Sequence, residues 1–446
     1  MLPRRILPFA LLLLACSRTP DPAGAKPEPA TQPSASASIQ AAAPAPPKPA
    51  PHPPYNVLFL MIDAWRADMP WAGYPRDVVP RMSELAKRST LYPRGYAMSS
   101  YTAKSVAPML AGLYGSEMKR DGYFFTRWTE DNVFITELLS AKGHATLAGN
   151  GHGYFLPGTG MNQGFTDYRL LPGTFLDTKG VFDVTSDRLN ALAKEMLSVP
   201  KNVSQEAGHR FFAYFHFLDP HFQYYMHDGH PDWGKTGRDR YDNEVHFTDH
   251  WVGDLIDWAE KQPWAKQTAI IVTGDHGEGF GEHNQYRHAY QVWEALVRVP
   301  LIIHVPGAPP RRIDLPRSHI DLAPTIAELM GLEPQSNWRG KSLVSEIFGA
   351  EPKPRPVISE LPRCDLMDRR RALIDGDYKL ISFGDDWTYQ MYKVSEDYRE
   401  EHELSKSEPE RFASMKKLYL ELSAKIPNEP VVGGAPLKDA PPGQRW

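Results

Sequence analysis

The sequence predicts an α/β sandwich with a mostly parallel central sheet, followed by a small C-terminal α+β subdomain. Short apolar runs rich in β-branched and aromatic residues alternate with segments of helical spacing, as in folds built on parallel sheets. Clustered Asp, His, Ser and Thr residues follow several of these runs, and ligands of parallel sheets bind beyond the carboxyl ends of the strands. After about residue 355 the runs shorten and are joined by Asp-Gly and Gly-Asp-Asp turns, which indicates a change of architecture.

The spacing of apolar residues predicts the individual elements. The run 55–62 (YNVLFLMI) is continuous, as expected of a strand that is buried on both faces. Further strands are predicted at 211–218, 269–273 and 299–304, and helices at 80–89, 131–142 and 241–260. In the C-terminal subdomain we predict strands within 370–383 and 387–394 and a helix at 408–425.

The first sixteen residues are typical of an export signal. Arg4 and Arg5 precede the apolar run 6–14, which is too short to span a bilayer as a mature helix. The run ends in Leu-Leu-Ala-Cys, which resembles a bacterial lipobox in which Cys16 becomes the lipidated first residue. An ordinary cleaved signal with an incidental cysteine is the alternative. Because Ser17 follows the cysteine, resemblance to enteric lipoproteins implies the periplasmic face of the outer membrane in preference to the inner membrane.

Length and composition predict the domain organisation. Residues 17–54 are mostly Pro, Ala, Ser and Lys, which is typical of a semi-rigid, disordered tether after the signal peptide 1–16. The remaining chain of about 390 residues exceeds what one hydrophobic core usually holds. We therefore expect a catalytic domain at 55–350, a subdomain at 351–428 and a flexible tail at 429–446.

The overall composition argues against several classes of protein. A net charge of −4 and a pI near 6.5 argue against a nucleic-acid partner. Besides Cys16 the chain has only Cys364, so a mature lipoprotein has no internal disulfide and no cysteine zinc site. No stretch after the export signal is long and apolar enough to predict a membrane-spanning helix.

Asp63 and a hydroxyl-rich segment are the first candidate site residues. Asp63 directly follows the first predicted strand, where a carboxylate is well placed to hold a metal ion; a helix N-cap is the alternative. The segment Ser99-Ser100-Tyr101-Thr102 opens a predicted helix, whose N–H groups and dipole favour an anionic ester. Ser and Thr are also ordinary helix caps, so this segment alone does not decide between the two interpretations.

A third candidate segment, 273–283 (TGDHGEGFGEH), follows the predicted strand at 269–273. Its glycines let the backbone bend so that adjacent Asp and His side chains point into one site. Asp and His together suit Zn²⁺ or Mn²⁺, whereas Ca²⁺ prefers ligands that are all oxygen. An ordinary structural turn would not need so many possible ligands, so the segment indicates a functional site.

The order of these segments resembles the sulfatase family of the alkaline-phosphatase superfamily. That order is Asp63 after a strand, Thr102 at a helix start, the segment 218–221 (LDPH) and the segment 274–278 (GDHGE). Further matching segments are 299–302 (VPLI), 319–325 (HIDLAPT) and 376–380 (GDYKL). The resemblance runs from about residue 55 to 425 and implies an alkaline-phosphatase-like sandwich and an ester-hydrolysing metalloenzyme.

The resemblance implies a set of metal ligands. Asp63, Asp275 and His276 correspond to family ligands, and Thr102 falls where the family has a nucleophile that also binds the metal. The expected cofactor is a divalent ion, Zn²⁺ or Mn²⁺ in preference to Ca²⁺. Asp219 and His283 would complete a second metal site, as in the two-metal phosphodiesterase branch.

The resemblance also implies catalytic side chains around the ester. His221 matches a histidine that contacts the substrate or protonates the leaving group, and His288 matches an anion-contacting Lys or His. Lys104 is available to neutralise developing charge. The remaining histidines considered are interpreted as half-exposed or core residues: His216, His227, His230 and His246.

The sequence departs from the sulfatase pattern at the nucleophile. Sulfatases carry Cys or Ser there, followed by x-Pro-x-Arg, and convert it to formylglycine. Here the segment 102–106 reads TAKSV, and threonine cannot become that aldehyde. Ala64 replaces a second aspartate, and the pair Asp275-His276 replaces Asp-Asn. These changes favour the phosphatase, phosphodiesterase and phosphoethanolamine-transferase branches.

The sequence therefore predicts a hydrolase of phosphate monoesters, diesters or phosphonates that uses Thr102 as its nucleophile. The alternatives are a sulfate ester hydrolase without formylglycine, a phosphoethanolamine-type transferase and a binding lipoprotein without turnover. The expected substrate is a small-molecule, lipid-linked or glycan-linked phosphate or sulfate ester. The expected membrane contact is the lipid anchor.

Overall fold

The computed structural model of the chain describes residues 52–172, 185–206 and 208–431. The predicted signal, Cys16 and nearly all of the tether 17–54 lie outside these residues, as does most of the predicted tail. Within the described part of the chain, no helix has both the length and the apolar character needed to cross a membrane.

A nine-stranded sheet forms the centre of the described chain. Its strands are β1 (Asn56–Ile62), β2 (Thr90–Tyr96), β3 (Ala145–Asn150), β4 (Asp167–Leu170), β5 (Phe211–Phe217), β6 (Thr268–Gly274), β7 (Arg298–His304), β8 (Arg311–Arg312) and β9 (Arg317–Ser318). They lie in the order β4-β3-β5-β1-β6-β7-β2-β8, with β9 also paired to β2. The strands from β4 to β6 in this order are mutually parallel, and β7 is antiparallel to β6 and β2. The prediction of a mostly parallel sheet is confirmed.

Helices cover both faces of this sheet, which makes the fold a sandwich. The helices of the sandwich are α1 (Pro80–Lys87), α2 (Thr102–Ala111), α3 (Ile135–Ala141), α4 (Ser186–Ser198), α5 (Gly237–Ala259), α6 (Glu294–Val297), α7 (Leu322–Leu329) and α8 (Val344–Ile347). Side chains of α2, α3, α7 and α8 belong to one apolar core, and side chains of α1, α4 and α5 belong to another.

Strand β1 shows why its sequence is apolar at every position from Val57 to Ile62. Val57, Phe59 and Met61 belong to the first core, whereas the intervening Leu58, Leu60 and Ile62 belong to the second. Alternate side chains of a strand point to opposite faces, so a strand covered on both faces needs apolar residues throughout. The continuous apolar run therefore identifies β1 as a central strand.

A separate four-stranded antiparallel sheet forms the C-terminal subdomain. Its strands are β10 (Val357–Leu361), β11 (Arg370–Asp375), β12 (Tyr378–Phe383) and β13 (Thr388–Tyr392), followed by helix α9 (Pro409–Ser423). The two-residue turn between β11 and β12 contains Gly376, whose φ of +58° suits glycine. Ser359 Oγ donates to Ala97 O at 2.6 Å, and Glu360 N donates to Met98 O at 2.8 Å. These bonds attach the small sheet to the segment that follows β2.

Most predicted elements agree with the structure, and the starts of two helices differ by four residues. The helix predicted from residue 241 begins at Gly237. The predicted strands at 55–62, 211–218, 269–273 and 299–304 correspond to β1, β5, β6 and β7. The helix predicted from residue 131 begins at Ile135 instead. Asn132 is held outside the helix because its side chain accepts from Lys119 N at 2.9 Å and donates to Lys119 O at 2.7 Å. Strands β2, β3 and β4 have no counterpart among the predictions.

Candidate active site

Adjacent parallel strands bring two carboxylates together at the carboxyl edge of the sheet. Asp63 follows β1, and its N–H donates to Phe217 O of β5 at 2.9 Å. Asp275 follows β6, and its N–H approaches Ile62 O of β1 at 3.3 Å. Both aspartate side chains are fully buried. The edge predicted from the sequence therefore holds both carboxylates; their role as metal ligands stays a prediction.

Two imidazoles and a hydroxyl complete a cluster of donor atoms around these carboxylates. His216 Nε2 lies 3.2 Å from Asp63 Oδ2 and 3.9 Å from Asp275 Oδ2. His276 Nε2 lies 3.4 Å from Asp63 Oδ1 and 3.6 Å from Asp275 Oδ2. Thr102 Oγ1 lies 3.2 Å from His276 Nε2 and 3.4 Å from Asp63 Oδ2. We call these five residues the donor cluster.

Hydrogen bonds at the far nitrogens orient both imidazoles. His276 Nδ1 lies 2.8 Å from Gly277 O, and because a carbonyl only accepts, Nδ1 carries the hydrogen and Nε2 is free to act as a ligand. His216 Nδ1 lies 2.7 Å from the Tyr214 hydroxyl. In both residues Nε2 therefore faces the carboxylates, as in imidazoles that bind a metal.

The donor cluster fits a divalent cation. Metal–ligand distances of about 2.0–2.2 Å place the ligands of a tetrahedral ion about 3.4 Å apart. The separations between neighbouring donor atoms run from 3.2 to 3.9 Å. Asp63 Oδ1 and Asp275 Oδ2 are buried and have no hydrogen-bond partner among the described residues. Unsatisfied carboxylate oxygens are costly in a protein interior, and a bound cation would satisfy them.

The pKa shifts of the two carboxylates also support binding of a divalent cation. Burial opposes ionisation of Asp63, but His221 and the neighbouring imidazoles outweigh it and hold the Asp63 pKa well below its usual range. Burial and the charge of Asp63 raise the pKa of Asp275. The two carboxylates therefore resist simultaneous ionisation, and a divalent cation between them would remove that repulsion.

Two backbone features shape the loops that carry the donors. Ala64, directly after Asp63, has a φ of +55°, and its N–H donates to Asp275 Oδ1 at 3.1 Å. Left-handed backbone at a residue other than glycine is strained and concentrates at functional sites. A Cβ at Gly277 would lie 2.0 Å from Ala295 O of α6, so the loop after His276 passes this helix only as glycine.

Thr102 is the first residue of α2, after the extended residue Tyr101. Its hydroxyl is thereby placed at the positive end of the helix dipole, which favours an anionic ligand. Ser105, one turn later, donates from Oγ to Asp275 O at 2.6 Å and ties this helix to the β6 loop. The predicted nucleophile therefore occupies a position that the sheet and α2 both fix.

Four histidine rings form a row beside the donor cluster, which we call the histidine row. Successive ring centroids are 4.3 Å apart for His276 and His288, 5.1 Å for His288 and His221, and 5.7 Å for His221 and His152. His288 Nδ1 lies 3.2 Å from Glu278 Oε1. Although burial opposes it, the charge of His288 lowers the pKa of Glu278. An ionised Glu278 therefore accepts from His288 and orients its ring.

Burial lowers the pKa of His152 to about 3, and the charge of His221 adds to this effect. His152 is therefore neutral at ordinary pH. Its Nδ1 accepts from Tyr154 N at 3.1 Å, so Nε2 carries the hydrogen. The histidine row thus ends in a neutral side chain that donates hydrogen bonds without taking up a proton.

Lys104 does not point toward the donor cluster. Its ammonium lies 5.0 Å from the ring centre of Phe124 and 5.7 Å from that of Tyr101, in the apolar core shared with the C-terminal subdomain. Burial lowers its pKa, with Cys364 partly opposing that shift. In the described residues its Nζ has no hydrogen bond and no ion pair with a carboxylate of the donor cluster. This geometry does not support the predicted charge-neutralising role.

Asp219 and His283 do not come together as a second metal site. Asp219 accepts hydrogen bonds from Thr185 N at 3.0 Å and Ser186 N at 2.6 Å, so it fixes the start of α4. The ring of His283 stacks on Trp293 at 3.7 Å, and its Nε2 lies 3.0 Å from Arg399 O. The only metal-like group of three acidic or histidine side chains in the described chain is Asp63, His216 and Asp275.

The structure adds three site residues to which the sequence analysis assigned no role in the site. The interpretation of His216 as a core histidine without a role in the site is wrong, because its Nε2 belongs to the donor cluster. The other two are Glu278 and His152. A polar residue within the apolar run 211–218 was the available indication for His216. His152 follows β3, a strand that apolar spacing did not reveal.

Solved structures with the same fold include sulfatases and phosphonate hydrolases. A putative sulfatase from Bacteroides thetaiotaomicron superimposes with a TM-score of 0.71 and 17% identity over 87% of this chain and 100% of its own. A phosphonate monoester hydrolase from Silicibacter pomeroyi gives a TM-score of 0.66 and 19% identity over 84% and 96%. At such identities the similarity shows the fold alone.

Curated relatives match over shorter segments. A sulfatase of Formosa agariphila is 35% identical over 102 residues, 22% of this chain and 20% of the relative. A choline-sulfatase of Rhizobium meliloti is 34% identical over 129 residues, 28% of this chain and 25% of the relative. The aligned segments thus span about a quarter or less of these relatives' lengths.

Family models cover most of the described chain. The model described as N-sulphoglucosamine sulphohydrolase, C-terminal, matches residues 281–427. The model described as Sulfatase matches residues 55–332, which include the whole donor cluster and the histidine row. With its mostly parallel sandwich and its antiparallel C-terminal sheet, this chain belongs to the sulfatase family of the alkaline-phosphatase superfamily.

Proposed function

We propose that this enzyme hydrolyses phosphate esters or phosphonates through a covalent phospho-threonine at Thr102. The observation that supports this proposal most directly is the position of Thr102 Oγ1, 3.2 Å from His276 Nε2 and 3.4 Å from Asp63 Oδ2. A hydroxyl among metal-type ligands at a helix N-terminus is placed for nucleophilic attack on an anionic ester.

The proposed cofactor is Zn²⁺ or Mn²⁺, held by Asp63, Thr102, His216, Asp275 and His276. Two imidazoles among five donors suit these ions better than Ca²⁺. When bound, such an ion would lower the pKa of the threonine hydroxyl and offset charge on the ester oxygens. The cluster around Asp63 suggests one ion per chain.

In the proposed reaction the chain's own residues supply the nucleophile and the proton. Thr102 Oγ1 releases its proton to solvent and forms the bond to phosphorus while the bond from phosphorus to the leaving oxygen breaks. His221 or His288 donates a proton to that oxygen, and Glu278 holds His288 in position through the 3.2 Å contact. Water then attacks the phospho-threonine, releases phosphate or phosphonate and regenerates the hydroxyl.

A sulfate ester hydrolase is the second candidate function. The observation in its favour is that structural neighbours include a protein in complex with its substrate D-glucosamine-2-N,6-O-disulfate. The observation against it is the nucleophile: formylglycine hydrate carries a second hydroxyl that expels sulfate, and threonine has none. We therefore expect sulfate esters to be the slower class of substrate.

A side-by-side rate comparison tests the choice between these functions. The metal-loaded enzyme is given an aryl phosphate monoester, phosphodiester, phosphonate monoester and sulfate with the same aryl leaving group. We expect at least one phosphorus ester to be cleaved much faster than the sulfate. Faster cleavage of the sulfate would contradict the proposal.

Metal content provides an independent test of the donor cluster. The double variant Asp275→Ala, His276→Ala should lose the bound ion, because it removes a carboxylate and an imidazole from the cluster. Metal analysis of the purified chain measures this loss. The control is Asp219→Asn with His283→Ala, which we expect to keep the ion. Full metal retention in the first variant would overturn the assignment.

We further propose that the enzyme is exported and anchored in the outer membrane through a lipid on Cys16. The support is the Leu-Leu-Ala-Cys sequence after a basic and apolar start. Cell fractionation should recover the wild-type chain in the membrane fraction and the Cys16→Ser variant in the fractions that contain no membranes. Equal membrane association of the two chains would contradict lipid anchoring.

A further inference from the structure

Large apolar side chains are exposed mainly around the mouth of the candidate active site. In the described chain, eight large hydrophobic side chains are between 40% and 86% exposed. Five of them line the two cavities that flank the histidine row: Tyr123, Phe125, Leu156, Met226 and Tyr286. We call these five side chains the apolar rim. Single exposed hydrophobic residues are ordinary, but a concentration of them on one surface is typical of a binding interface.

Chain topology places the apolar rim at one edge of the central sheet. Leu156 follows β3, Met226 follows β5 and Tyr286 follows β6. These three strands run parallel to one another, so the segments after them leave the sheet at the carboxyl edge, where the donor cluster lies. The ring centre of Phe125 lies 5.6 Å from that of Tyr154 in a stacked arrangement, which brings its loop to the same edge.

The two cavities connect the rim to the histidine row. One cavity, of about 630 Å³, is lined by three rim residues and by His152. The other cavity, of about 940 Å³, is lined by the remaining two rim residues. Phe222 and Arg287, which also line the second cavity, are the chain neighbours of His221 and His288. The rim therefore borders the approach to the histidine row on both sides.

The exposure of Phe125 is a property of an ordered loop. Asp121 Oδ1 accepts hydrogen bonds from Tyr123 N at 3.2 Å and from Arg127 N at 3.0 Å, which closes the loop. Phe124 points inward and belongs to the apolar core shared with the C-terminal subdomain. The next residue, Phe125, is 57% exposed. The loop thus buries one phenylalanine and presents the other to the outside.

Unpaired cations surround the apolar rim. Among the described residues, no acidic side chain lines either cavity. Arg238 is neutralised by Asp68 at 2.7 Å. The other four cations of these linings are exposed and form no ion pair with a described residue: Arg127, Lys235, Arg240 and Arg287. A chain with a net charge of −4 therefore concentrates free positive charge beside exposed apolar side chains. This combination is typical of surfaces that lie on an anionic bilayer.

We propose that the apolar rim and its four unpaired cations form a docking surface for an anionic phospholipid bilayer, with the mouth of the active site turned toward the membrane. The cations would pair with lipid phosphates, and the rim side chains would enter the headgroup region. The proposed lipid on Cys16 would keep this surface close to a membrane, so that a weak contact is enough. The inference does not depend on which ester the enzyme hydrolyses.

Vesicle binding by the chain 17–446 tests this surface without the lipid anchor. This chain keeps every residue that the structure describes. We expect it to sediment with vesicles that contain phosphatidylglycerol, to sediment far less with phosphatidylcholine alone, and to be released by salt. Phe125→Ser with Tyr286→Ser should weaken binding about tenfold or more, because two inserted rings are lost. Lys235→Ala with Arg240→Ala should weaken it about fivefold for each cation removed.

The matched control is Trp387→Ser with Leu420→Ser. It removes two side chains of 86% and 46% exposure from the C-terminal subdomain, outside the apolar rim. We expect this control to bind anionic vesicles as tightly as the unchanged chain does. Equal weakening by the control, binding that is indifferent to phosphatidylglycerol, or no binding to anionic vesicles would overturn the proposal.

A site-specific measurement does not depend on how well the serine variants fold. An environment-sensitive dye on the thiol of Tyr286→Cys should shift its emission when anionic vesicles are added, because that position enters the headgroup region. The same dye on Trp387→Cys should not respond. Cys364 is buried, which leaves the introduced thiol as the site of labelling. An equal response at both positions, or a response at Trp387→Cys alone, would overturn the proposed orientation and with it the docking surface.

Discussion

Two buried carboxylate pairs in this protein are neutralised in different ways. Glu294 and Glu400 lie at the junction with the C-terminal sheet, and Lys379 Nζ lies 3.3 and 3.0 Å from them. Asp63 and Asp275 are just as buried, but in the described residues their ion-pair partners are histidines and no Lys or Arg. The first pair contains its own lysine, whereas the second pair has no lysine or arginine partner within the described residues.

The difference distinguishes a carboxylate pair that holds the fold together from a carboxylate pair that can bind a metal ion. A lysine between two buried carboxylates joins β12 to the start of α6 and to a later loop, and its charge stays inside the chain. Imidazoles between two carboxylates leave the negative charge partly uncompensated and present ligand atoms to an external ion. We therefore expect changes at the first pair to affect stability and changes at the second to affect metal binding and turnover.

The largest effect is expected at Thr102. Thr102→Ala should lower turnover of the best phosphorus ester by several powers of ten, on the order of ten-thousandfold, because it removes the covalent nucleophile. Thr102→Ser, which keeps a hydroxyl, serves as the control and should retain far more activity. Turnover and metal content measured on the same samples decide the result. Undiminished turnover by Thr102→Ala would reject the covalent mechanism.

Lys379→Met should destabilise the protein by about 3–5 kcal/mol, because two buried carboxylates lose their cation. Metal content and turnover per folded molecule should not change. Denaturant unfolding with metal analysis measures both quantities. If this variant kept its fold but lost the bound metal, the distinction between the two carboxylate pairs would be wrong.

Stability should depend on pH through Glu400. Burial raises the Glu400 pKa to about 7, with Glu294 adding to the shift and Lys379 opposing it. Because the folded-state pKa lies above that of the unfolded chain, this stabilising contribution is complete below about pH 4.5 and is lost as pH rises through 7. The loss is about 3 kcal/mol. The stability of the wild type relative to Glu400→Gln should therefore fall as pH rises; a difference that is constant with pH would refute this.

The smallest effect is expected at Tyr214. Tyr214→Phe removes the hydroxyl that lies 2.7 Å from His216 Nδ1 but keeps the ring. Loss of such an orienting contact should weaken metal affinity by about 10–100-fold. Competition with a chelator measures the change. Tyr168→Phe, whose hydroxyl instead donates to Phe155 O at 2.6 Å, is the matched control and should leave metal affinity unaltered.

Sequence reasoning located the donors that follow strands and missed the donor inside one. Asp63 and Asp275 stand directly after the apolar runs of β1 and β6, so their meeting at the sheet edge is predictable. His216 lies within β5, where an apolar neighbourhood suggests simple burial. Its use as a donor depends on which strand lies next to β5, and apolar spacing alone does not determine strand order.

Helix geometry explains why the two predicted catalytic residues of α2 separate. Successive residues of an α-helix are rotated by about 100°. Thr102 and Lys104 are two positions apart, so their side chains leave the helix on nearly opposite sides. Thr102 therefore meets the donor cluster while Lys104 enters the core of the C-terminal subdomain. A shared motif in the sequence does not imply a shared site.

The donor cluster also has a consequence for how this chain folds. Its hydrogen-bonded members are far apart in sequence, 153 residues between Asp63 and His216 and 174 between Thr102 and His276. No single hairpin or helix holds enough donors to retain an ion, so tight binding requires β1, β5, β6 and α2 to be assembled together. Metal capture should then be one of the last events on the folding pathway. A fluorescent chelator that loses its metal ion to the refolding chain would therefore report when the sheet is complete and not when it begins to form.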